Sequence, residues 1–96
     1  MAQIKSTIKT PLYMVVHEMI ADMRKVCSEQ KKPTTWREKF WSAVPYIEAL
    51  GNLDSPDESY GWDKGKDLIN YLLANLTTYR GDKAKEFKAL FKQMAK

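Results

Sequence analysis

Apolar residues recur at steps of three and four through most of this chain, and this spacing constrains the fold more than any other feature. The first such stretch begins after Thr10 and Pro11. Its apolar positions are Leu12, Val15, Val16, Met19, Ile20, Met23, Val26 and Cys27. Because an α-helix turns once in about 3.6 residues, this spacing places the apolar side chains on one face. A hydroxyl residue followed by proline is typical of a helix start, so we predict a helix over residues 11–30.

A second helix is predicted over residues 35–50. Thr35 and Glu38 have the spacing of a capping box. The apolar face continues through Trp36, Phe40, Ala43, Val44, Ile47 and Leu50. Pro45 lies inside this pattern, and we expect a kink or a break there because proline removes a backbone donor and clashes with the preceding turn. Gly51 then predicts a left-handed C-cap.

The C-terminal part carries two further helical patterns, preceded by a loop over residues 54–61. The third predicted helix begins near Asp63 and continues to about Arg80. Gly81 is its predicted cap, or a flexible point in a longer helix, and a fourth helix is predicted over 82–95. No segment alternates with a period of two residues, so no strand is predicted.

Together these patterns predict an all-α fold, namely a small four-helix antiparallel bundle whose second helix is kinked or broken at Pro45. The 96 residues suffice for one domain, so we assign residues 10–96 to a single helical domain and residues 1–9 to an N-terminal arm. The apolar runs are too short for a membrane span, and the first residues do not resemble a secretory leader. A single cysteine suits a reducing compartment. We therefore expect a cytoplasmic protein without membrane association.

The net charge of +4 is unevenly distributed. Residues 51–67 hold five acidic and two basic side chains, whereas residues 68–96 hold two acidic and six basic side chains. A basic C-terminal segment favours anionic partners. Dedicated duplex-DNA binders usually have a stronger and more clustered basic surface, and the lysines of the last helix are also explained by a solvated face.

The sequence lacks the residue combinations of common catalytic and metal sites. His17 is the only histidine, and Cys27 is the only cysteine and lies on the apolar face of the first helix. These two residues are too few for a typical zinc site. Asp54, Asp57 and Glu58 do not have the spacing of a calcium loop, and no glycine-rich phosphate loop is present. We therefore expect no enzymatic activity, no metal and no cofactor.

The joint between the third and fourth predicted helices is the candidate binding site. Thr77, Tyr79 and Arg80 lie there beside Gly81. Such a joint offers a hydroxyl, an aromatic ring, a guanidinium and free backbone N–H groups, which together suit a phosphate-bearing ligand. Arg80 also has a structural interpretation, since a cation in the last turn of a helix stabilises the carbonyl end. Asp82 would compete for the same positive groups.

The segments YGWD and ANLTTYRG, within residues 60–81, resemble small helical accessory proteins of tailed bacteriophages. The nearest specific resemblance is to the phage anti-CBASS sponge family. This resemblance implies a homo-oligomer in the host cell cytoplasm that sequesters cyclic di- and trinucleotide signals and so counters host defence. It further implies that Ala74, Asn75 and Arg80 contact one type of ligand, and that Tyr13 and Lys39 contact the other.

The leading hypothesis is therefore a non-enzymatic protein that captures a cyclic oligonucleotide at helix ends. An alternative is a protein–protein inhibitor of a host defence or nuclease complex. Its contact residues would be Trp41, Tyr60 and Trp62, beside the acidic loop, although these rings are also explained as closing the end of a small core. A third hypothesis is a nucleic-acid-binding helical module that uses the lysines of the last helix.

Overall fold

The computed structural model describes residues 4–32 and 34–96, and most of these residues are helical. In chain order the elements are α1 (Leu12–Ser28), α2 (Trp36–Lys39), α3 (Val44–Leu50), β1 (Ser59–Tyr60), β2 (Asp63–Lys64), α4 (Gly65–Ala74) and α5 (Asp82–Met94). The mainly helical fold is therefore confirmed. The four-helix antiparallel bundle is not, because five helices and a short hairpin occupy the described ranges. None of these helices combines the length and apolarity that crossing a bilayer requires.

One apolar core joins the helices. Helix α1 packs against α2, α3 and α5, and α4 packs against α3 and α5. The largest fully buried side chains are Tyr79, Phe40, Phe87, Phe91, Leu12, Met19, Met23, Ile47, Leu50, Ile69, Leu72 and Leu76. Nearly all of them lie on the predicted helical faces, which follows from the spacing of three and four residues. Cys27 is also buried, as its place on the α1 face predicts.

The start of α1 differs from the prediction. The N-cap residue is Pro11 and makes no side-chain cap, while the Thr10 hydroxyl accepts a hydrogen bond from the Thr7 N–H at 2.8 Å. The first N–H groups of α1, those of Leu12 and Tyr13, donate instead to backbone carbonyls of the segment that follows α3, at 2.8 and 2.9 Å. Two of the backbone N–H groups that have no acceptor within α1 are thus satisfied by carbonyl groups elsewhere in the chain.

The described part of the N-terminal arm is held against α1 by Glu18. The carboxylate accepts hydrogen bonds from the Lys5 N–H at 2.6 Å, the Ser6 N–H at 2.9 Å and the Ser6 hydroxyl at 2.5 Å. Burial opposes ionisation of Glu18, but these hydrogen bonds and the charge of Lys83 lower its pKa overall. Ile4 packs against the core from the same segment. The first three residues of the predicted arm lie outside the described residues.

The second predicted helix is two short helices, with α2 ending at Lys39 and α3 starting at Val44. The interruption therefore precedes Pro45, which occupies the first turn of α3, where a missing N–H costs nothing. The Thr35 half of the predicted capping box is confirmed, because the Thr35 hydroxyl accepts from the Glu38 N–H at 3.2 Å. The Glu38 carboxylate accepts instead from the Thr34 hydroxyl, also at 3.2 Å.

The predicted left-handed cap at Gly51 is wrong, because its φ is −66°. The side-chain amide of Asn52 donates to the Glu48 carbonyl at 2.8 Å and so satisfies a carbonyl of the last turn of α3. This side-chain cap removes the need for a left-handed residue.

A two-stranded hairpin precedes α4 and was not predicted. Tyr60 pairs with Asp63 across a two-residue turn, and Gly61 at the first turn position has a φ of +63°. Glycine with positive φ at this position is typical of a type II′ hairpin turn. Both strands have only two residues, so no alternating pattern exists that a sequence analysis can detect.

Helix α4 is shorter than predicted at both ends. It begins at Gly65 and ends at Ala74, whereas the prediction ran from Asp63 to Arg80. Asn75 is the C-cap residue, and its side-chain amide donates to the Tyr71 carbonyl at 2.8 Å. Residues 75–81 form a non-helical connector, which we call the α4–α5 connector, and α5 starts after it.

Candidate functional site

Tyr79 fixes the α4–α5 connector to the core. Its ring has no exposed surface and meets the ring of Phe40 edge to face, with 5.5 Å between the ring centroids. Its hydroxyl donates to Asp22 Oδ2 of α1 at 2.5 Å, and Lys88 Nζ of α5 donates to its carbonyl oxygen at 2.6 Å. Burial, the hydrogen bond to Asp22 and the nearby carboxylates raise the pKa of Tyr79, so its hydroxyl remains protonated.

The position of Tyr79 corrects one part of the predicted site. The hypothesis counted its ring among the groups that the joint offers to a ligand, but the ring is fully covered by the protein. Tyr79 therefore contributes by holding the neighbouring residue in place. The spacing was a signal for this burial, because Tyr79 follows the buried Leu76 by three residues and Leu72 by seven.

Arg80, the next residue, is exposed. Its side chain has no ion-pair or hydrogen-bond partner among residues 4–32 and 34–96, where the ion pairs are Arg37 with Glu48 and Lys66 with Asp57. Arg80 also lies six residues beyond the end of α4, which is Ala74. The structural interpretation of Arg80 as a cation in the last helical turn is therefore wrong, since that interaction falls off within one turn.

Arg80 borders a recess of about 240 Å³ between α1 and the start of α5, which we call the Arg80 recess. Its charged lining residues are the cations Lys25, Arg80 and Lys83 and the carboxylates Asp22, Glu29 and Asp82. One of the carboxylates, Asp22, already accepts the hydrogen bond from Tyr79. The remaining charges can orient a ligand that carries both an anionic group and hydrogen-bond donors.

The open end of α5 adds backbone donors to the Arg80 recess. The first backbone bond of this helix is donated by the Lys85 N–H to the Gly81 carbonyl at 3.1 Å. The N–H groups of residues 82–84 have no acceptor within the described part of the chain. Gly81, with a φ of +121°, turns the chain into the helix in a conformation that other residues rarely adopt. The positive end of a 13-residue helix therefore faces the recess.

A second recess of about 310 Å³ adjoins the first. The two share Asp22, Lys25 and Lys83, and the second extends to Lys5 of the arm and to Glu18 of α1. A ligand larger than one phosphate group therefore has space along the groove between α1 and α5. Lys25 of α1 and Lys83 of α5 line both recesses. Neither was among the predicted site residues, because nothing in the sequence indicates that these two positions lie close together.

The other residues predicted to bind the ligand with Arg80 lie near the connector but do not line the Arg80 recess. Ala74 is exposed at the end of α4, and Thr77 is exposed on the connector. Asn75 uses its amide to cap α4. Of Ala74, Asn75, Thr77 and Arg80, Arg80 is therefore the one that borders the recess.

The second predicted set is not assembled around Arg80 either. Tyr13 lies in the first turn of α1 and contacts the exposed His17 ring edge to face, with centroids 6.3 Å apart. Lys39 ends α2, with its ammonium 5.9 Å from the Phe40 ring centroid. Neither residue lines either recess near Arg80. The structure of one chain therefore separates the two sets.

Residues 4–32 and 34–96 contain no group of three or more side chains with the geometry to hold a metal ion. Burial raises the pKa of the Cys27 thiol, with Lys39 acting in the opposite sense, so the thiol is a poor nucleophile at neutral pH.

No protein-family model, curated protein or solved structure matches this chain.

Proposed function

We propose that this protein is a non-enzymatic binding protein that captures a phosphate-bearing cyclic oligonucleotide at the Arg80 recess and sequesters it. The observation that carries the proposal is the Arg80 guanidinium, which is exposed beside a recess and has no carboxylate partner among the described residues. An exposed arginine of this kind is free to form a two-pronged hydrogen-bonded pair with a phosphate.

Three neighbouring features support an anionic ligand. Lys25 and Lys83 line the recess from opposite sides, and the open N–H groups of α5 lie at its edge. A hydrogen bond to a charged group contributes about 1.5–3 kcal/mol. Nanomolar affinity requires about 12 kcal/mol, so several of these donors must act together on the same ligand.

The carboxylates of the Arg80 recess, together with its cations, restrict the class of ligand that it can bind. Glu29 and Asp82 would repel a free inorganic anion, whereas they can accept hydrogen bonds from the base or ribose donors of a nucleotide. The adjoining recess gives room for a second nucleotide unit. These features support an oligonucleotide over free phosphate.

The test is a calorimetric titration of the wild-type protein with cyclic dinucleotides and cyclic trinucleotides. We expect saturable binding of at least one of them, and a loss of about tenfold or more in affinity for Arg80→Ala, which is about 1.4 kcal/mol. Lys85→Ala is the matched control, because Lys85 is exposed on α5, carries the same charge and does not line the Arg80 recess. The control is expected to bind like wild type.

Two results would contradict the proposal. Equal affinity of the wild type and Arg80→Ala would remove Arg80 from the site, and an absence of binding by every cyclic oligonucleotide would remove the ligand class. Retention on duplex DNA with a salt dependence equivalent to several phosphates would favour the lysine-face hypothesis instead. Lys88 weakens that hypothesis, since its ammonium already donates to the Tyr79 carbonyl.

A further inference from the structure

The hairpin before α4 presents a fully exposed tryptophan. Trp62 is the second residue of the hairpin turn, and its side chain makes no contact that shields it from water; Tyr60 beside it is about half exposed. An indole is among the largest apolar side chains, and leaving it in water forgoes the free energy of burial. Tryptophan is also the residue type most enriched at the energetic centres of protein interfaces.

The base of the hairpin is held firmly against the preceding loop. The Gly65 N–H donates to the Glu58 carbonyl at 2.7 Å. A Cβ atom on Gly65 would lie 2.7 Å from the Pro56 carbonyl oxygen, so only glycine permits this approach. An exposed indole on a fixed support loses less conformational entropy on docking than one on a flexible loop.

The hairpin and its loop are acidic on an otherwise basic protein. Residues 54–64 hold four acidic side chains and one basic side chain, a net charge of −3. The remaining residues hold fifteen basic and eight acidic side chains, a net charge of +7. The hairpin is therefore complementary in charge to the rest of the same protein.

A receptive surface for this hairpin lies between α1 and α2. It is a recess of about 400 Å³ with mainly apolar walls, which we call the Arg24 recess. Cys27 and Trp36 form part of its apolar lining, Arg24 and Arg37 flank it, and no carboxylate lines it. Arg24 has no ion-pair partner within the described ranges, whereas Arg37 lies over the Trp36 ring and pairs with Glu48.

We propose that the hairpin of one copy docks into the Arg24 recess of a second copy, with Trp62 entering the apolar recess and the neighbouring carboxylates, such as Asp63, facing Arg24. Full exposure of Trp62 means that it does not fill the recess of its own chain. Two different surfaces meet in this contact, so the association is head-to-tail, and each added copy leaves one hairpin and one recess free until a ring closes. The contact uses none of the residues proposed to bind the oligonucleotide.

Sedimentation velocity over protein concentrations from about 10 µM to about 500 µM tests the proposal. We expect the weight-average sedimentation coefficient of the wild type to rise with concentration, and to rise less at high salt because the contact includes exposed charges. Trp62→Ser is expected to remain monomeric. Trp41→Ser is the matched control, since Trp41 is also exposed but lies in the turn between α2 and α3, and it is expected to associate like wild type.

A mixing experiment tests the head-to-tail geometry. Trp62→Ser keeps an intact recess, and Arg24→Glu keeps an intact hairpin while placing a carboxylate at the recess. Each variant alone is expected to be monomeric, and their mixture is expected to form a one-to-one dimer through the single remaining contact. A wild type that stays monomeric over the whole range overturns the proposal. A mixture that stays monomeric while the wild type associates also overturns it, since that result indicates a contact between two like surfaces.

Discussion

Replacing Tyr79 by phenylalanine tests whether one buried hydroxyl holds the α4–α5 connector in place. The substitution removes only the donor of the 2.5 Å hydrogen bond to Asp22 and leaves the ring packed against Phe40. Hydrogen bonds to charged groups contribute about 1.5–3 kcal/mol to stability. We expect a loss near the lower end, about 1.5–2 kcal/mol, because Asp22 is only partly buried and water can replace the lost donor.

Denaturant unfolding followed by tryptophan fluorescence measures this loss. In a domain of this size a loss of about 1.5–2 kcal/mol corresponds to a fall in Tm of about 6–16 °C. Tyr60→Phe is the control, because the Tyr60 side chain is about half exposed and no hydrogen bond of its hydroxyl is present in the described part of the chain. It is expected to unfold like wild type.

The same substitution has a signature at high pH. The pKa of Tyr79 is raised in the folded protein above its ordinary value of about 10. A raised pKa adds stability that is fully present below the unfolded pKa and is lost as the pH rises towards the folded pKa. Wild-type stability should therefore fall above about pH 10, and this fall should be smaller in Tyr79→Phe. An unfolding free energy within about 0.5 kcal/mol of wild type, with an unchanged alkaline profile, would refute the reasoning.

Two further predictions concern the arm and the hairpin. Because the pKa of Glu18 is lowered below its ordinary value of 4.5, its contribution to stability is present above that pH and is lost as the pH falls through the folded pKa. Glu18→Gln should flatten this acid dependence in thermal melts and speed hydrogen exchange of the Ser6 amide; an unchanged acid profile would contradict the assignment. Gly65→Ala should destabilise the protein by about 1–3 kcal/mol, because the added methyl meets backbone oxygen atoms. An unchanged Tm would show that the contact with Pro56 is not tight.

The helical periodicity predicted the parts of the fold that depend on local sequence. The apolar face of α1 became the centre of the core, and the spacing of Thr35 and Glu38 correctly placed the cap of α2. A hydrophobic face and a cap act within one or two turns, so both are visible in the sequence. The predicted extension of the third helix to Arg80 was wrong, because the end of α4 depends on contacts between residues far apart in the chain. Burial of Tyr79 against Phe40 and Asp22 is a long-range contact that stabilises a non-helical connector.

The candidate site also combines residues that the sequence could indicate with residues that only long-range packing brings together. Arg80 could be chosen from the sequence because an arginine next to a glycine between two helical patterns suggests an accessible cation. Lys25 could not, since it is one of many lysines, and only the packing of α1 against α5 brings it to the Arg80 recess. Tyr79 was assigned to the ligand although it belongs to the core, because a tyrosine is equally suited to either environment.

By itself, the sequence determined that this chain forms amphipathic helices around one apolar core, because helical periodicity and burial of apolar side chains are encoded residue by residue. Only the tertiary structure decided where α4 ends, that a short hairpin exposes Trp62 to water, and that Arg80 borders a recess. Each of these outcomes depends on contacts between residues far apart in the chain, such as Tyr79 with Asp22, and their free energy exists only once the helices have packed.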